Sequence, residues 1–197
     1  MALAAEPQRR QLFNGRDLSG WEMAGPGSFT VEDGALKTQG GMGLLWYTGA
    51  TFGNCVLRAV YKVSRVEDNS GVFVRIAGRP PDPWFAVHHG YEVQIYDADD
   101  DFHRTGCIYS LSQTLAYTQK PPGEWNVMEI ALRGEIVEVT LNGTLVTVFD
   151  PAGPLPDRQF GYEPERGPRP QEGYIGLQNH DDGSSVYFRE LSVAPLS

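Results

Sequence analysis

The chain has 197 residues, enough for one good-sized domain with a hydrophobic core, and 41% of them are apolar. Its 25 acidic against 16 basic residues leave a net charge of -9, with no Lys/Arg run to follow a phosphate backbone. This argues against nucleic-acid binding, and an anionic membrane surface would repel the protein. No apolar segment is long enough to span a bilayer.

In chain order, Met1 to Glu6 is too short for a signal peptide. Its small residues fit either the tail of a removed leader or a disordered end. Residues 1–10 are therefore expected to be flexible, and 11–197 to form a single domain. Helical periodicity is nearly absent, while strand signals are frequent, with 23 Gly and 14 Pro spread between them. Phe29 to Glu32, Asp33-Gly34 and Ala35 to Lys37 predict a hairpin. Cys55 to Val63 predicts a long strand. In Asn69 to Ile76, Val72, Val74 and Ile76 take one face and Phe73 and Arg75 the other. Ala77 to Gly90 reads as a long loop carrying Trp84, Phe85, His88 and His89. In Tyr91 to Asp97, Val93 and Ile95 alternate with Glu92 and Gln94, so one face is apolar and the other carries a carboxylate and an amide.

The next segment, Asp97 to Thr105, is an acidic loop with Asp97, Asp99, Asp100 and Asp101. Cys107 to Leu111 predicts a short strand. Glu124 to Leu132 and Glu135 to Leu141 form a second hairpin around Arg133-Gly134, and Asn142-Gly143 turns the chain into Thr144 to Phe149. A loop rich in Pro, Gly and charge, Asp150 to Gln171, precedes strands at Tyr174 to Gln178 and Val186 to Val193. The two cysteines, Cys55 and Cys107, read as buried thiols rather than a bridge. The fold class expected is all-β, a two-sheet antiparallel β-sandwich.

Several stretches resemble the 3-keto-disaccharide hydrolase domain family. They run in order from Leu12-Phe13-Asn14-Gly15-Arg16-Asp17-Leu18-Ser19-Gly20-Trp21 through Asn69 to Arg75, Tyr91 to Asp97, Thr105 to Tyr109, Gly123 to Asn126 and Leu141-Asn142-Gly143. The series ends at Gly173 to His180 and Val186 to Leu191, so the resemblance covers about residues 11 to 196. It implies a concanavalin A-like jelly roll, a saccharide partner and cleavage of glycosides oxidised at C3. It also implies an extracytoplasmic protein, the cytoplasm being the alternative.

Glu92 is the leading catalytic candidate, since a carboxylate on the polar face of a sheet can act as acid or base; the competing reading is a solvated surface Glu. Arg75 could orient Glu92 or hold an oxyanion, against a merely structural ion pair. His180 could be acid, base or metal ligand, or a loop His without a role. Gln94, Asp97, Trp84, Tyr109 and Gln178 are the candidate substrate contacts, with Trp84, Phe85 and Tyr109 able to stack on a sugar ring. Trp21, Trp46 and Trp125 belong in the core or at a sheet edge. No metal site is assigned. A divalent ion held by His88, Glu92 and His180 is the lesser alternative, and Ca²⁺ on the acidic loop ranks below a solvated loop.

A ketone at C3 acidifies the hydrogen at C2, which allows the C1 substituent to leave by elimination. Gln94, not a carboxylate, occupies the next same-face position after Glu92, so the paired acids of ordinary glycoside hydrolysis are absent there. This favours elimination followed by hydration. The alternatives to an enzyme are a lectin-like binding module and a structural partner domain.

Overall fold

A computed structural model describes residues 8–97 and 100–196. Asp99 and the segment Met1 to Glu6, on which two of the readings above fall, lie outside the described residues. Arg9 bonds Glu129 and Arg10 opens the first strand.

The strands are β1 (Arg10–Gln11), β2 (Trp21–Ala24), β3 (Ser28–Glu32), β4 (Ala35–Gln39), β5 (Gly43–Tyr47), β6 (Cys55–Val63) and β7 (Ser70–Ile76). After a short helix, α1 (Pro83–His89), come β8 (Tyr91–Ile95), β9 (Asn126–Arg133), β10 (Ile136–Leu141), β11 (Thr144–Phe149), β12 (Tyr174–Asn179) and β13 (Val186–Pro195). They form two antiparallel sheets. One has eight strands in the order β11-β10-β9-β6-β13-β4-β3, with β1 also on β13. The other has five, β2-β5-β12-β7-β8. The architecture is the expected all-β sandwich.

Period-2 alternation builds the core between the sheets. Leu57, Tyr61, Ile130 and Phe188 point inward from the large sheet and meet Leu45, Val72, Val93 and Leu177 from the small one. The outer face of the large sheet carries Arg58, which pairs with both Glu129 and Glu190. Three hairpin turns form where expected, because Asp33-Gly34, Asn142-Gly143 and Gly134 all take positive φ. The opening Leu-Phe-Asn-Gly segment docks on the core. Leu12 and Phe13 are buried, Asn14 Oδ1 accepts from the Arg16 and Asp17 amides, and Trp21 Nε1 donates to the Leu12 carbonyl at 2.8 Å. Cys55 and Cys107 are free and buried.

Two differences from the sequence reading concern the small sheet. The loop from Ala77 to Gly90 contains helix α1, whose start is chemically encoded: Asp82 is the N-cap, its Oδ1 accepts from the Phe85 amide at 3.0 Å, and Pro83 follows at the first helical position. Ala86 and Val87 pack onto Leu44, Trp46, Phe73 and Ile76, forming a second small core on the outer face of the five-stranded sheet. The other difference is a bulge. Between Tyr174 and Gly176 of β12, the partner strand β7 carries an extra residue, and Arg75 takes φ 54. The alternation reverses there, so Ile76 joins Phe73 on the outer face and Arg75 leaves it.

No described helix is long and apolar enough to cross a membrane. Because the Asp82 cap holds the first turn of the element that carries Trp84, Asp82→Ala should cost about 1 kcal/mol of unfolding free energy. Denaturant titration of the variant against the parent checks this.

Candidate active site

Helix α1 covers only part of the small sheet's outer face. Beside it opens a cavity of about 380 Å³. Its floor comes from β8 and β12: Glu92 and Gln94 project outward while Tyr91, Val93 and Ile95 go to the core, and Gln178 projects outward between the positions of Leu177 and Asn179. Asn69, at the entry to β7, joins them. Trp84 and Val87 of α1 form one wall, and Tyr96, His103 and Tyr109 another.

The second wall explains the short strand expected at Cys107 to Leu111. β8 is the last strand of its sheet, and the chain from 105 to 109 pairs along its outer edge. Gln94 N donates to Cys107 O at 3.1 Å, Gly106 N to Gln94 O at 2.9 Å and Tyr109 N to Glu92 O at 2.9 Å. Only isolated bridges form, at Ile108. This pairing protects the edge and sets the Tyr109 ring beside Glu92. His103 is fixed behind it, with Nδ1 2.8 Å from Asp100 Oδ2, Nε2 3.1 Å from Ser110 Oγ and its ring 5.2 Å from that of Tyr109.

Glu92 is only 6% exposed and its Oε1 makes no hydrogen bond. Burial pushes its carboxyl up to about 8. Room for it comes from Gly71: a Cβ there would overlap Glu92 Oε1 and stand 2.7 Å from its Cγ. Burial, and then the Glu92 charge, also push the Tyr109 phenol up to about 12. The buried oxygens of Asn69, Gln94 and Gln178 are likewise without a hydrogen bond. Four such oxygens around one cavity form a set of acceptors suited to a ligand rich in hydroxyl donors.

His180 lies at the rim, just past β12. Asn179 pins that strand end, with Nδ2 donating to Gln39 O and Gly40 O at 2.8 Å. Asp181 then holds both the turn and the imidazole: Oδ1 accepts from the Gly183 and Ser184 amides at 2.7 Å, and Oδ2 is 2.8 Å from His180 Nδ1. Burial opposes ionisation of Asp181, but the hydrogen bonds from His180, Gly183 and Ser184 hold its carboxyl below the usual value. With Nδ1 engaged, Nε2 is the nitrogen left for chemistry.

Glu92, His180, Gln94, Gln178, Trp84 and Tyr109 thus meet at one cavity. Two sequence candidates do not. Arg75 is turned away by its bulge, and its Nη2 donates to the Gly134 carbonyl. Burial lowers its pKa, and Cys55, Tyr91 and Glu135 are its electrostatic neighbours rather than Glu92. Asp97 follows the inward phase after Tyr96 and accepts from Thr105 Oγ1 at 3.4 Å; burial raises its pKa. It does not line the cavity.

The acidic loop has its own partners, Asp100 with His103 and Asp101 with Arg104. Among the described residues no three His, Cys, Asp or Glu side chains gather as metal ligands, so His88, Glu92 and His180 do not form such a group.

The sequence reading missed Asn69, His103, Tyr96 and Tyr162. Tyr96 was legible, as the next same-phase residue after Glu92 and Gln94. Tyr162 was not, because the loop that delivers it is shaped by arginines bonding backbone carbonyls. Arg166 bonds Pro156 O and Pro164 O at 2.8 and 2.7 Å. Arg169 bonds Gly90 O and Glu165 O at 3.0 and 2.8 Å and lies 5.2 Å over the Tyr91 ring.

Two outcomes test this geometry. The folded protein keeps a proton on Glu92 that the unfolded chain releases near the ordinary 4.5. The contribution of this group to stability is therefore complete in acid and is lost as pH rises toward about 8. Thermal melts of the parent and Glu92→Gln from pH 5 to 9 should diverge in favour of the variant by up to about 1.4 kcal/mol per pH unit, then run parallel. In Gly71→Ala the carboxyl must move, so ¹³C NMR titration of Glu92 should depart from the parent midpoint near 8, with about 1–3 kcal/mol of lost stability.

Among curated proteins no relative matches this chain. Among solved structures, a candidate glycosyl hydrolase from Parabacteroides distasonis ATCC 8503 has a TM-score of 0.78 at 25% identity, covering 96% of this chain and 100% of that one. A second candidate glycosyl hydrolase from the same organism has a TM-score of 0.77 at 24% identity, covering 98% and 95%. A Bacillus subtilis protein of unknown function with a galectin-like fold has a TM-score of 0.69 at 14% identity, covering 95% and 94%; this likeness shows the fold alone. The family model described as 3-keto-alpha-glucoside-1,2-lyase-like domain matches residues 8–194. The chain belongs to this 3-keto-alpha-glucoside-1,2-lyase-like domain family, a glycosidase-like, carbohydrate-active class.

Proposed function

We propose that this domain cleaves glycosides whose glycosyl ring is a ketone at C3, by elimination across C1 and C2 followed by hydration. The observation that carries the reading is Glu92: it is buried, lacks a hydrogen bond at Oε1, has its pKa pushed to about 8, and is the sole carboxylate among the described residues lining the cavity. A direct displacement through two positioned acids has no second acid there. The elimination needs one acid, one base and polarisation of the ketone, and side chains of those kinds surround the cavity.

At neutral pH Glu92 is mostly the neutral acid and can donate a proton. His180, its Nδ1 held by Asp181, offers Nε2 as the base. His180 takes the proton from C2, and the C2–H electron pair becomes the C1=C2 double bond. The C1–O bond breaks, and the leaving oxygen takes the proton of Glu92. The side-chain amides of Gln94, Gln178 and Asn69 line the cavity and carry neutral N–H donors for the C3 oxygen as charge develops, the role that Arg75 cannot fill. Hydration reverses the roles. The Glu92 carboxylate takes a proton from water as its oxygen joins C1, and the His180 imidazolium returns a proton to C2. Trp84, 46% exposed at the rim and stacked on His88, supplies a face for the sugar ring.

The same exposed Trp84 is what favours the second reading, a lectin-like module that binds a glycan without turning it over. Incubation with a 3-keto disaccharide in D₂O, beside its unoxidised parent, separates the two by NMR. Elimination predicts cleavage of the keto sugar alone, with deuterium entering C2. Glu92→Gln should lower the rate by at least about a hundredfold, and the parent activity should fall above pH 8 as the donor form is lost. Line broadening of the sugar without turnover selects the binding module.

A further inference from the structure

A second, wider groove of about 730 Å³ adjoins the Glu92 cavity. The two share His103, Tyr109 and Tyr162 as a common wall, so a substituent leaving the first cavity on that side enters the second. Phe160 lines only the second. It is 53% exposed and stacks on Tyr162, their centroids 5.2 Å apart and their planes 5° from parallel. Two large aromatic rings left half in water on one loop, at the mouth of a site, offer a flat apolar face. The loop holds them in place through Arg158, which bonds Gly161 O at 2.6 Å and Glu165 at 2.8 Å, and through Arg166.

The charge lining this groove is net negative. Asp100, Asp101, Asp157 and Glu163 line it with Arg166; Arg166 bonds Glu163 at 2.9 Å, Arg104 bonds Asp101 at 3.3 Å and His103 bonds Asp100 at 2.8 Å. With two arginines against four carboxylates, an anionic substituent would meet a net negative lining, Asp157 above all, whereas hydroxyl donors would find carboxylate acceptors.

From these observations we propose that the groove is the leaving-group subsite, and that it selects an uncharged ring stacked on Phe160 while rejecting an anionic one. The proposal rests on the reaction assigned above and deepens it. The shared chemistry is a flat ring face with neutral or hydroxyl substituents, met both by a second pyranose and by an aromatic aglycone.

The test uses 3-keto glucosides with methyl, phenyl and 4-carboxyphenyl leaving groups, together with a 3-keto disaccharide. In Phe160→Ala, whose side chain lies outside the Glu92 cavity, KM for the ringed neutral substrates should rise about three- to tenfold, while the methyl glycoside is unaffected. A rise for the phenyl glycoside alone assigns an aromatic aglycone; a rise for the disaccharide alone assigns a sugar. The 4-carboxyphenyl substrate should be poorer than the phenyl one at low salt, with the gap narrowing in Asp157→Asn. An equal effect of Phe160→Ala on all substrates, no effect on any, or equal turnover of the anionic and neutral aryl glycosides overturns the proposal. Failure of the parent protein to cleave any of the four refutes the assigned reaction instead. The groove is then judged by NMR binding of the phenyl glycoside: loss of binding in Phe160→Ala sustains the subsite, and unchanged binding overturns it.

Discussion

A carboxyl group withdrawn from water without a cation beside it is the constraint around which this site is organised. Removing a carboxylate from water is costly, and the usual remedy is a paired arginine or lysine. Glu92 has neither, and responds by holding its proton to about pH 8. Everything that buries it belongs to the fold: the β7 partner strand with its side-chain-free Gly71, the 105–109 segment paired along the β8 edge, and the α1 wall. A cation moved beside Glu92 would return its pKa to the ordinary range and remove the acid form from neutral solution.

The bulge in β7 is the counterpart of that burial. Without it, strand alternation would carry Arg75 to the same face as Gly71 and Phe73, close to Glu92. The left-handed backbone at Arg75 instead sends the guanidinium to Gly134 on the large sheet's hairpin, where it joins the two sheets. One local distortion therefore both removes a charge from the cavity and ties the sandwich together at its end. Ile76, displaced to the outer face by the same shift, completes the apolar seat under α1.

The two histidines of the cavity illustrate how hydrogen bonding sorts similar groups. His103 has both ring nitrogens engaged, with Asp100 and Ser110, and acts as wall. His180 has one engaged, with Asp181, and keeps the other for chemistry. The long loop from 150 to 171 uses arginines in place of secondary structure, since the Gly161, Pro156 and Glu165 carbonyls that no strand satisfies are satisfied by Arg158, Arg166 and Arg169. That loop supplies Tyr162 to one cavity and Phe160 to the next.

The sequence by itself determined the sandwich, because alternation and Asp-Gly and Asn-Gly turns are local signals read directly by the backbone. It also determined that Glu92 and Gln94 share the polar face of their strand, since Val93 and Ile95 between them are plainly apolar; that Gln178 joins that face was decided by the sheet order. The Asp82-Pro83 helix start is encoded locally, but the seven-residue element is too short to show periodicity and reads as loop. Tertiary structure alone decided the rest. Arg75 stands where simple alternation does not put it, behind a bulge, whereas Asp97 keeps the inward phase of Val93 and Ile95 and so stays off the cavity. Asn69, His103 and Tyr162 reach the cavity from segments distant in sequence, and their positions depend on edge pairing and on arginine-to-carbonyl bonds that no local pattern encodes. The proton on Glu92 is of the same kind: the residue type is written in the chain, but its desolvation exists only once the strands and loops close around it.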